Sequence, residues 1–441
     1  MVDKLYEKIL KKQEKLAVVG LGYVGLPIAV AFSNAGVSVI GYDTNEQKLE
    51  KYREGIDVTS EVGSEALHAS NIYYTSDSES ISSSSFIIVC VPTPTDSNNE
   101  PDFNPLLNAC RSIGQAMKKG SCVVFESTVY PGATESICIP ELEKYSGMKC
   151  GVDFKVGFSP ERINPGDRLH TLENTTKVVS AIDDETLLCI KSIYEIIIKA
   201  GVFCASNIKT AEAIKITENT QRDLNIAFMN EMSLLYHKLG IDTNEVVNGM
   251  NTKWNALGFK PGLVGGHCIG IDPYYLLHLA KSVGNDCKLV QVARETNELI
   301  SDFIVDSTKC LLGECGKNLE NSKIGVLGLT FKENCGDLRN SKAGEVITKL
   351  KKFGATVCVV DPLANEDEAE SLYEVKLQKF SSLCQLDCLM ILVAHDEFKQ
   401  IKEDDLHNVF ITHNQNKIIM DIKSIFDKNT LIASNYKYFS L

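Results

Sequence analysis

A chain of 441 residues, 44% of them apolar and 23% charged, has enough length for two or three domains with substantial cores and too much apolar content for wholesale disorder. Its formal charge of −13 argues against nonspecific attraction to nucleic acid, although a phosphate-bearing small molecule needs only a local group of cations. Fifteen cysteines, an odd number without a C-x-x-C pair, do not read as a disulfide framework, the charged start MVDKLYEKILKKQEK lacks the apolar core of a signal peptide, and no apolar run approaches the ~20 residues that span a bilayer, so a reduced cytoplasmic protein that leaves membranes alone is expected.

Residues 16–25, LAVVGLGYVG, read as a short strand running into Gly20, Gly22 and Gly25. The G-x-G-x-x-G spacing allows a tight turn, close approach of backbone to a pyrophosphate, and close packing of the next helix on the strand. A helical segment at 26–35 follows, and the strand VSVIGYD ends on Asp43. A carboxylate there suits the adenosine ribose hydroxyls and repels a 2′-phosphate, which favours NAD over NADP. Further apolar strands are expected at FIIVCVPTPT (86–95), CVVFEST (122–128) and KVGFSPE (155–161). Thr93, Thr128 and Glu161 then fall at strand C-terminal ends, where an open parallel sheet carries its ligand loops; each could equally be a cap or turn residue. The serine run 82–85 reads as a plain loop. This first domain is set at 1–203.

From 207 to 239 the chain has no glycine or proline, which predicts a helix longer than the globular norm and suits a spine between domains or subunits. Lys215, Asn219 and Arg222 share one face of it, as a solvated stripe or as the wall of a polar cleft. The stretch 259–275, FKPGLVGGHCIGIDPYY, places Gly262, Gly265, Gly266 and Gly270 around one thiol, Cys268, four residues before Asp272. Such glycine density predicts a loop wrapped around a ligand; the alternative is a thiol that merely packs in a core. Helices are expected to about 312, which closes a central domain at 204–315.

Apolar strands recur at KIGVLGLTF (323–331), TVCVVDP (356–362), DCLMILVAH (387–395) and KIIMDIK (417–423). The rhythm repeats that of the first half without its full glycine signature, so 316–441 is expected to be a second Rossmann-like domain that binds something other than the dinucleotide. The fold class is therefore α/β, with two doubly wound domains joined by a long central helix.

Taken together, GLGYVGLP, VPTPT, ESTVYPG, FSPERINPGD, AEAIKITENT, GGHCIGIDP and FKENCGDLRNS resemble, in order, the motifs of the nucleotide-sugar 6-dehydrogenases, the family of UDP-glucose dehydrogenase. The likeness is greatest to the branch acting on UDP-N-acetylhexosamines, the Vi-antigen and O-antigen type: UDP-glucose enzymes usually carry serine before the cysteine and lysine before the aspartate, where this chain has His267 and Ile271. The resemblance implies an NAD-dependent four-electron oxidation at sugar C6, feeding surface polysaccharide precursors. UDP-glucose or GDP-mannose is the alternative substrate, and a nucleotide-sugar or NAD binding protein without catalysis is the non-enzyme alternative.

It also implies roles. Cys268 would hold the substrate as a thiohemiacetal and then a thioester, Lys215 and Asn219 would stabilise the oxyanion, Asp272 and Thr128 would position a water, and Glu161 would be the acid or base of thioester hydrolysis. Gly20, Gly22, Tyr23, Val24 and Gly25 would receive the NAD pyrophosphate at a helix start, Asp43 and Lys48 the ribose, with Thr93 and Thr128 beside the cofactor. Lys253, Phe259, Lys260, Gly262 and Gly265 would line the UDP. Lys332 and Arg339 would close that side, with Arg339 counted among the cofactor contacts, and Arg162 and Asn164 would touch the sugar. No metal is expected, and the long helix would build a homodimer.

Overall fold

The computed structural model describes residues 4–59, 61–96, 98–163, 169–411 and 417–441. It contains two compact units, one of residues 1–218 with 274–285 and the other of 219–273 with 286–441. The division falls inside the longest helix, Ile208–Leu239.

The first unit is built on eight strands, β1 (Lys15–Val19), β2 (Val39–Tyr42), β3 (Ile72–Thr75), β4 (Ser84–Val89), β5 (Cys122–Phe125), β6 (Lys155–Phe158), β7 (Lys177–Ala181) and β8 (Val202–Cys204). They lie side by side as β3-β2-β1-β4-β5-β6-β7-β8. All neighbours are parallel except β6 and β7, where Phe158 faces Ser180 across an antiparallel pair. Beyond Lys15 of β1 and Ser84 and Ser85 of β4, the central strands β1, β4 and β5 are apolar because both faces are covered. Leu16, Val18, Phe86 and Ile88 enter one core, and Ala17, Val19, Ile87 and Val89 enter the other. The helix Gly25–Asn34 seals the first face with Leu26, Ile28 and Phe32, and the helix Asn104–Ala116 seals the second with Leu106, Cys110 and Ile113. Phe86 and Phe125 are fully buried on opposite faces, and truncating either to alanine should cost about 3–5 kcal/mol.

The serine run departs from expectation. Ser78–Ser83 form a 3-10 helix, and β4 already begins at Ser84. The Ser82, Ser83 and Ser84 hydroxyls each donate to the carbonyl three residues back, which stabilises the tight turn that polar composition alone reads as a loop. Strands β3, β7 and β8 were not expected from the sequence.

The second unit carries β9 (Lys323–Leu327), β10 (Thr356–Val360), β11 (Cys388–Ile391), β12 (Lys417–Asp421) and β13 (Tyr436–Phe439), all parallel, in the order β10-β9-β11-β12-β13. Ile324, Val326 and Met390 face one core while Leu327, Leu389 and Ile391 face the other. In each unit the first strand of the sheet has neighbours on both sides that run off in opposite directions, and the crevice beyond that switch point is where an open α/β sheet takes its ligand. No helix among the described residues is long and apolar enough to cross a membrane.

Candidate functional site

In the first unit the glycine turn after β1 is shaped by backbone chemistry. Gly20 has a left-handed φ of 89°, and a Cβ on Gly25 would lie 1.8 Å from the Gly20 carbonyl oxygen, so neither position tolerates a side chain. A Cβ on Gly22 would meet nothing within 4 Å. This is the open cradle that a pyrophosphate needs, with Gly22, Tyr23 and Val24 immediately before the helix Gly25–Asn34. At the end of β2 the nearly buried Asp43 accepts from the Leu21 amide at 2.8 Å and the Asn45 amide at 3.0 Å, and it pairs with the Lys48 ammonium. Asn45 caps the helix Glu46–Arg53 by accepting from Lys48 N, which fixes the turn on which Lys48 is mounted. Asp43 thus ties the glycine turn to its own strand while keeping a carboxylate at the crevice, so the chain's residues fit a dinucleotide.

The loops after β4, β5 and β6 supply the other residues of this half. Thr93 is half-buried, and its carbonyl accepts from the Tyr275 hydroxyl at 3.0 Å. Thr128 is half-buried in the loop after β5. That loop is pinned by Glu212 on the long helix, whose two oxygens accept from the amides of Gly132 and Thr134. Burial pushes the Glu212 carboxyl up to about 7 against these hydrogen bonds. One turn further along the helix, the Lys215 ammonium lies 3.5 Å from Glu161 Oε2. Glu161 Oε1 is buried and finds no hydrogen-bond partner among the described residues. Burial raises the Glu161 carboxyl above the ordinary glutamate value, and Lys215 and then Lys177 pull the other way. A buried carboxyl with one unengaged oxygen and an adjacent cation has the equipment of a general acid or base. The Arg162 guanidinium donates to Thr176 O at 3.0 Å and to Glu218 at 3.2 Å, while its buried Nε has no hydrogen-bond partner among the described residues. Asn164 lies outside the described residues.

In the second unit, Asn219 donates to Asp272 Oδ2 at 2.6 Å, both side chains being buried. Asp272 opens the helix Asp272–Ser282, and its amide donates to the Cys268 carbonyl at 2.9 Å, so thiol and carboxylate share one turn. The glycines of this loop are required by close approach. A Cβ on Gly265 would lie 2.5 Å from Asn340 O, and Gly266, with φ 82°, donates to that same oxygen at 3.1 Å. Gly262 is clamped at both ends of its peptide by Asn230, which accepts from Gly262 N at 2.8 Å and donates to Gly262 O at 3.1 Å. Asn230 also donates to Asn297, which donates to Asp223, the partner of Arg294, in one buried chain. His267 has its Nδ1 3.3 Å from Asn340 Nδ2 and its Nε2 3.6 Å from Asp337. Burial and the Arg339 guanidinium depress it to about 4, so it is a neutral imidazole beside the thiol.

A cavity of about 230 Å3 opens in this unit, and Gly265, Phe331, Lys332, Lys342 and Lys423 are among its lining residues. Lys342 is paired with Glu298 and Glu345, and Lys423 with Glu333, which also lines the cavity, so a nucleoside carrying phosphates would stack on the ring and draw these ammoniums from their carboxylates. Arg339 is held by Asp337 in a two-pronged pair, at 2.9 and 2.7 Å. Lys253 and Lys260 are exposed and Phe259 half-buried, on the segment that leads into the cysteine loop. Sequence reasoning missed Glu212, Asn230, Lys342 and Lys423, and also Glu126 and Lys177. Each is an ordinary residue on a helix or at a strand end, and only tertiary structure shows its partner.

The chain matches the family models described as the NAD binding, central and UDP binding domains of the UDP-glucose/GDP-mannose dehydrogenase family, over residues 14–198, 209–299 and 325–428. It is 47% identical to Protein CapL of Staphylococcus aureus, over 95% of this chain and 98% of that one. It is 41% identical to the UDP-N-acetyl-D-glucosamine 6-dehydrogenase of Pseudomonas aeruginosa, with the same coverage of 95% and 98%. A solved UDP-D-ManNAc dehydrogenase from Pyrococcus horikoshii superposes with a TM-score of 0.86 at 29% identity, covering 97% of this chain and 98% of its own.

Proposed function

This chain belongs to the UDP-glucose/GDP-mannose dehydrogenase family, and from that premise we propose that it oxidises the C6 hydroxymethyl of a UDP-N-acetylhexosamine to the carboxylate through a covalent adduct on Cys268. The observation that carries this reading is the Cys268 turn, where a thiol, a neutral His267 and the buried Asn219–Asp272 pair stand together within one unit. The hexosamine is supported by the relatives named for UDP-N-acetyl-D-glucosamine and UDP-D-ManNAc and by His267 and Ile271 in the cysteine loop.

NAD supplies the hydride acceptor for each of the two oxidations. The chain's own residues do the rest. Lys215 offers a positive charge to the developing alkoxide, worth roughly 3–4 kcal/mol where a single such donor has been removed from other enzymes. An aldehyde has no carbon-bound alkoxide from which a second hydride can leave, and addition of the Cys268 thiolate to C6 creates one as a thiohemiacetal. After its oxidation to the thioester, water attacks C6, the C6–Sγ bond breaks, the sulfur departs as thiolate, and the water proton passes to Glu161. In this reading Asp272, with Asn219, and Thr128 order water. Gly20, Gly22, Tyr23, Val24, Gly25, Asp43, Lys48 and Thr93 serve the dinucleotide. Lys253, Phe259, Lys260, Gly262, Gly265, Lys332 and Arg339 serve the nucleotide ligands, and Arg162 and Asn164 the sugar side.

The proposal carries the three-part division 1–203, 204–315 and 316–441, a cytoplasmic location, and a homodimer built on the long helix. The homodimer is supported by an apolar stripe on that helix, where Phe228, Leu235 and Leu239 are 54%, 46% and 61% exposed at helical spacing. The experiment that tests the function is NADH yield from the purified protein offered UDP-GlcNAc, UDP-GalNAc, UDP-ManNAc and UDP-glucose. Two NADH per acetamido sugar are expected. Turnover of UDP-glucose alone would refute the substrate assignment, and NADH binding without turnover of any sugar would refute an enzyme.

A further inference from the structure

Beneath Glu161 lies a buried group of ionisable side chains that the chemistry above does not use. Glu126 follows β5, Lys177 begins β7 and Tyr194 ends the helix Asp184–Tyr194. Glu126, Lys177 and Tyr194 are 1%, 3% and 0% exposed. The Lys177 ammonium bonds one oxygen of Glu126, the Tyr194 hydroxyl donates to the other, and the ammonium sits 5.3 Å above the tyrosine ring. The second Lys177 hydrogen bond matters most: Nζ donates at 3.2 Å to the carbonyl of Pro160, the residue before Glu161. Topology explains the placement. Because β7 runs antiparallel to β6, its first residue arrives at the C-terminal edge of the parallel strands, where the ligand loops are.

A buried ion pair gives little stability, since desolvation cancels most of its attraction and apolar replacements are often neutral. We propose that Lys177 and Glu126 are positioning residues for Glu161, the pair holding the Pro160–Glu161 backbone in place and Lys177 supplying a second positive charge beside the one from Lys215. Among the described residues, the titratable groups around Glu161 are Lys215 from the long helix, Lys177 from β7, Glu126 after β5 and Cys90 after β4. The two lysines favour the carboxylate, Lys215 more than Lys177, and Glu126 opposes it more weakly than Lys177 favours it. Without Lys177 a neutral Glu161 would persist to higher pH, and thioester hydrolysis would lose its base on the acid side. The inference rests on the proposed role of Glu161 in that step.

The test is Lys177→Met, with Lys177→Arg as the conservative partner. The Glu161 carboxyl is titrated by 13C NMR in protein labelled at glutamate carboxyls, its resonance identified by its absence in Glu161→Gln. The midpoint is expected to rise by at least about half a pH unit in Lys177→Met and to return toward the parent in Lys177→Arg. In turnover, the acid limb of the rate profile should move up by a similar interval. The Cys268 adduct should accumulate in intact-protein mass spectra, while the first equivalent of NADH appears at the parental rate. Should Lys177→Met fail to fold, Glu126→Gln/Lys177→Met leaves no unpaired buried charge and should still raise the midpoint. A folded variant with an unmoved midpoint and unmoved acid limb overturns the inference. Absence of NADH from the parent with every sugar would instead refute the proposed function, and the carboxyl titration would still decide the role of Lys177.

Discussion

Glu212→Gln isolates one buried charge whose energetic effect can be worked out in advance. The parent carboxyl is fully buried, and its two oxygens accept the amides of Gly132 and Thr134. Burial holds it at about 7 in the folded chain against an ordinary 4.5. The sign follows from linkage. Below pH 4.5 the group is protonated both folded and unfolded and contributes nothing pH-dependent. Between 4.5 and about 7 the unfolded chain releases its proton while the folded chain retains it, so stability falls as pH rises, and above about 7 the full cost is present. At ~1.4 kcal/mol per pH unit, raising pH from 5 to 8 should cost the parent about 2–3 kcal/mol through this group. Glutamine cannot ionise and escapes the cost. Urea unfolding of parent and variant at pH 5 and pH 8 should therefore show their stability difference moving toward the variant by about 2–3 kcal/mol. A difference that stays constant across that interval would refute the assignment of a buried, raised carboxyl at Glu212. Because Glu212 pins the loop that carries Thr128, a slower kcat is expected alongside.

Asp43→Ala removes the acceptor for Leu21 N and the partner of Lys48. With hydrogen bonds to a charged group worth ~1.5–3 kcal/mol, the NADH dissociation constant should rise tenfold or more by fluorescence titration, with discrimination against NADP relaxed; an unchanged constant would contradict the reading of the β2 carboxylate. Leu235→Glu should convert a dimeric parent to monomers in light scattering, because an interface that buries an unpaired carboxylate loses several kcal/mol. A parent that is monomeric, or a variant that remains dimeric, would remove the long helix from the interface.

The sequence was most informative where function depends on near neighbours along the chain. Gly20, Gly25 and Asp43 belong to one strand-turn-helix-strand unit, and the steric demands on the glycines leave a pattern that can be read directly. The long helix was legible for a similar reason, since the run without glycine or proline from 207 to 239 coincides with Ile208–Leu239. The strand β7 was not. β7 is five residues long and follows irregular chain, yet it alone delivers Lys177 to Glu126, fifty-one positions earlier. The same holds for Asn230 and Gly262, which meet across thirty-two positions. Ser82 and Ser83 end a 3-10 turn and Ser84 opens β4, their hydroxyls satisfying local carbonyls, a choice that composition does not specify.

The central claim is covalent catalysis at Cys268, and Cys268→Ser tests it most directly. Serine preserves the turn in which the residue 268 carbonyl accepts from the Asp272 amide, but it lacks a thiol able to carry the second oxidation as a thioester. With whichever UDP-N-acetylhexosamine the parent oxidises, in single turnover, the account predicts a parent that yields two NADH and a transient sugar adduct on the Cys268 peptide. It predicts a variant that binds NADH as tightly as the parent and forms no uronate. Uronate produced by the variant at the parental rate would contradict it.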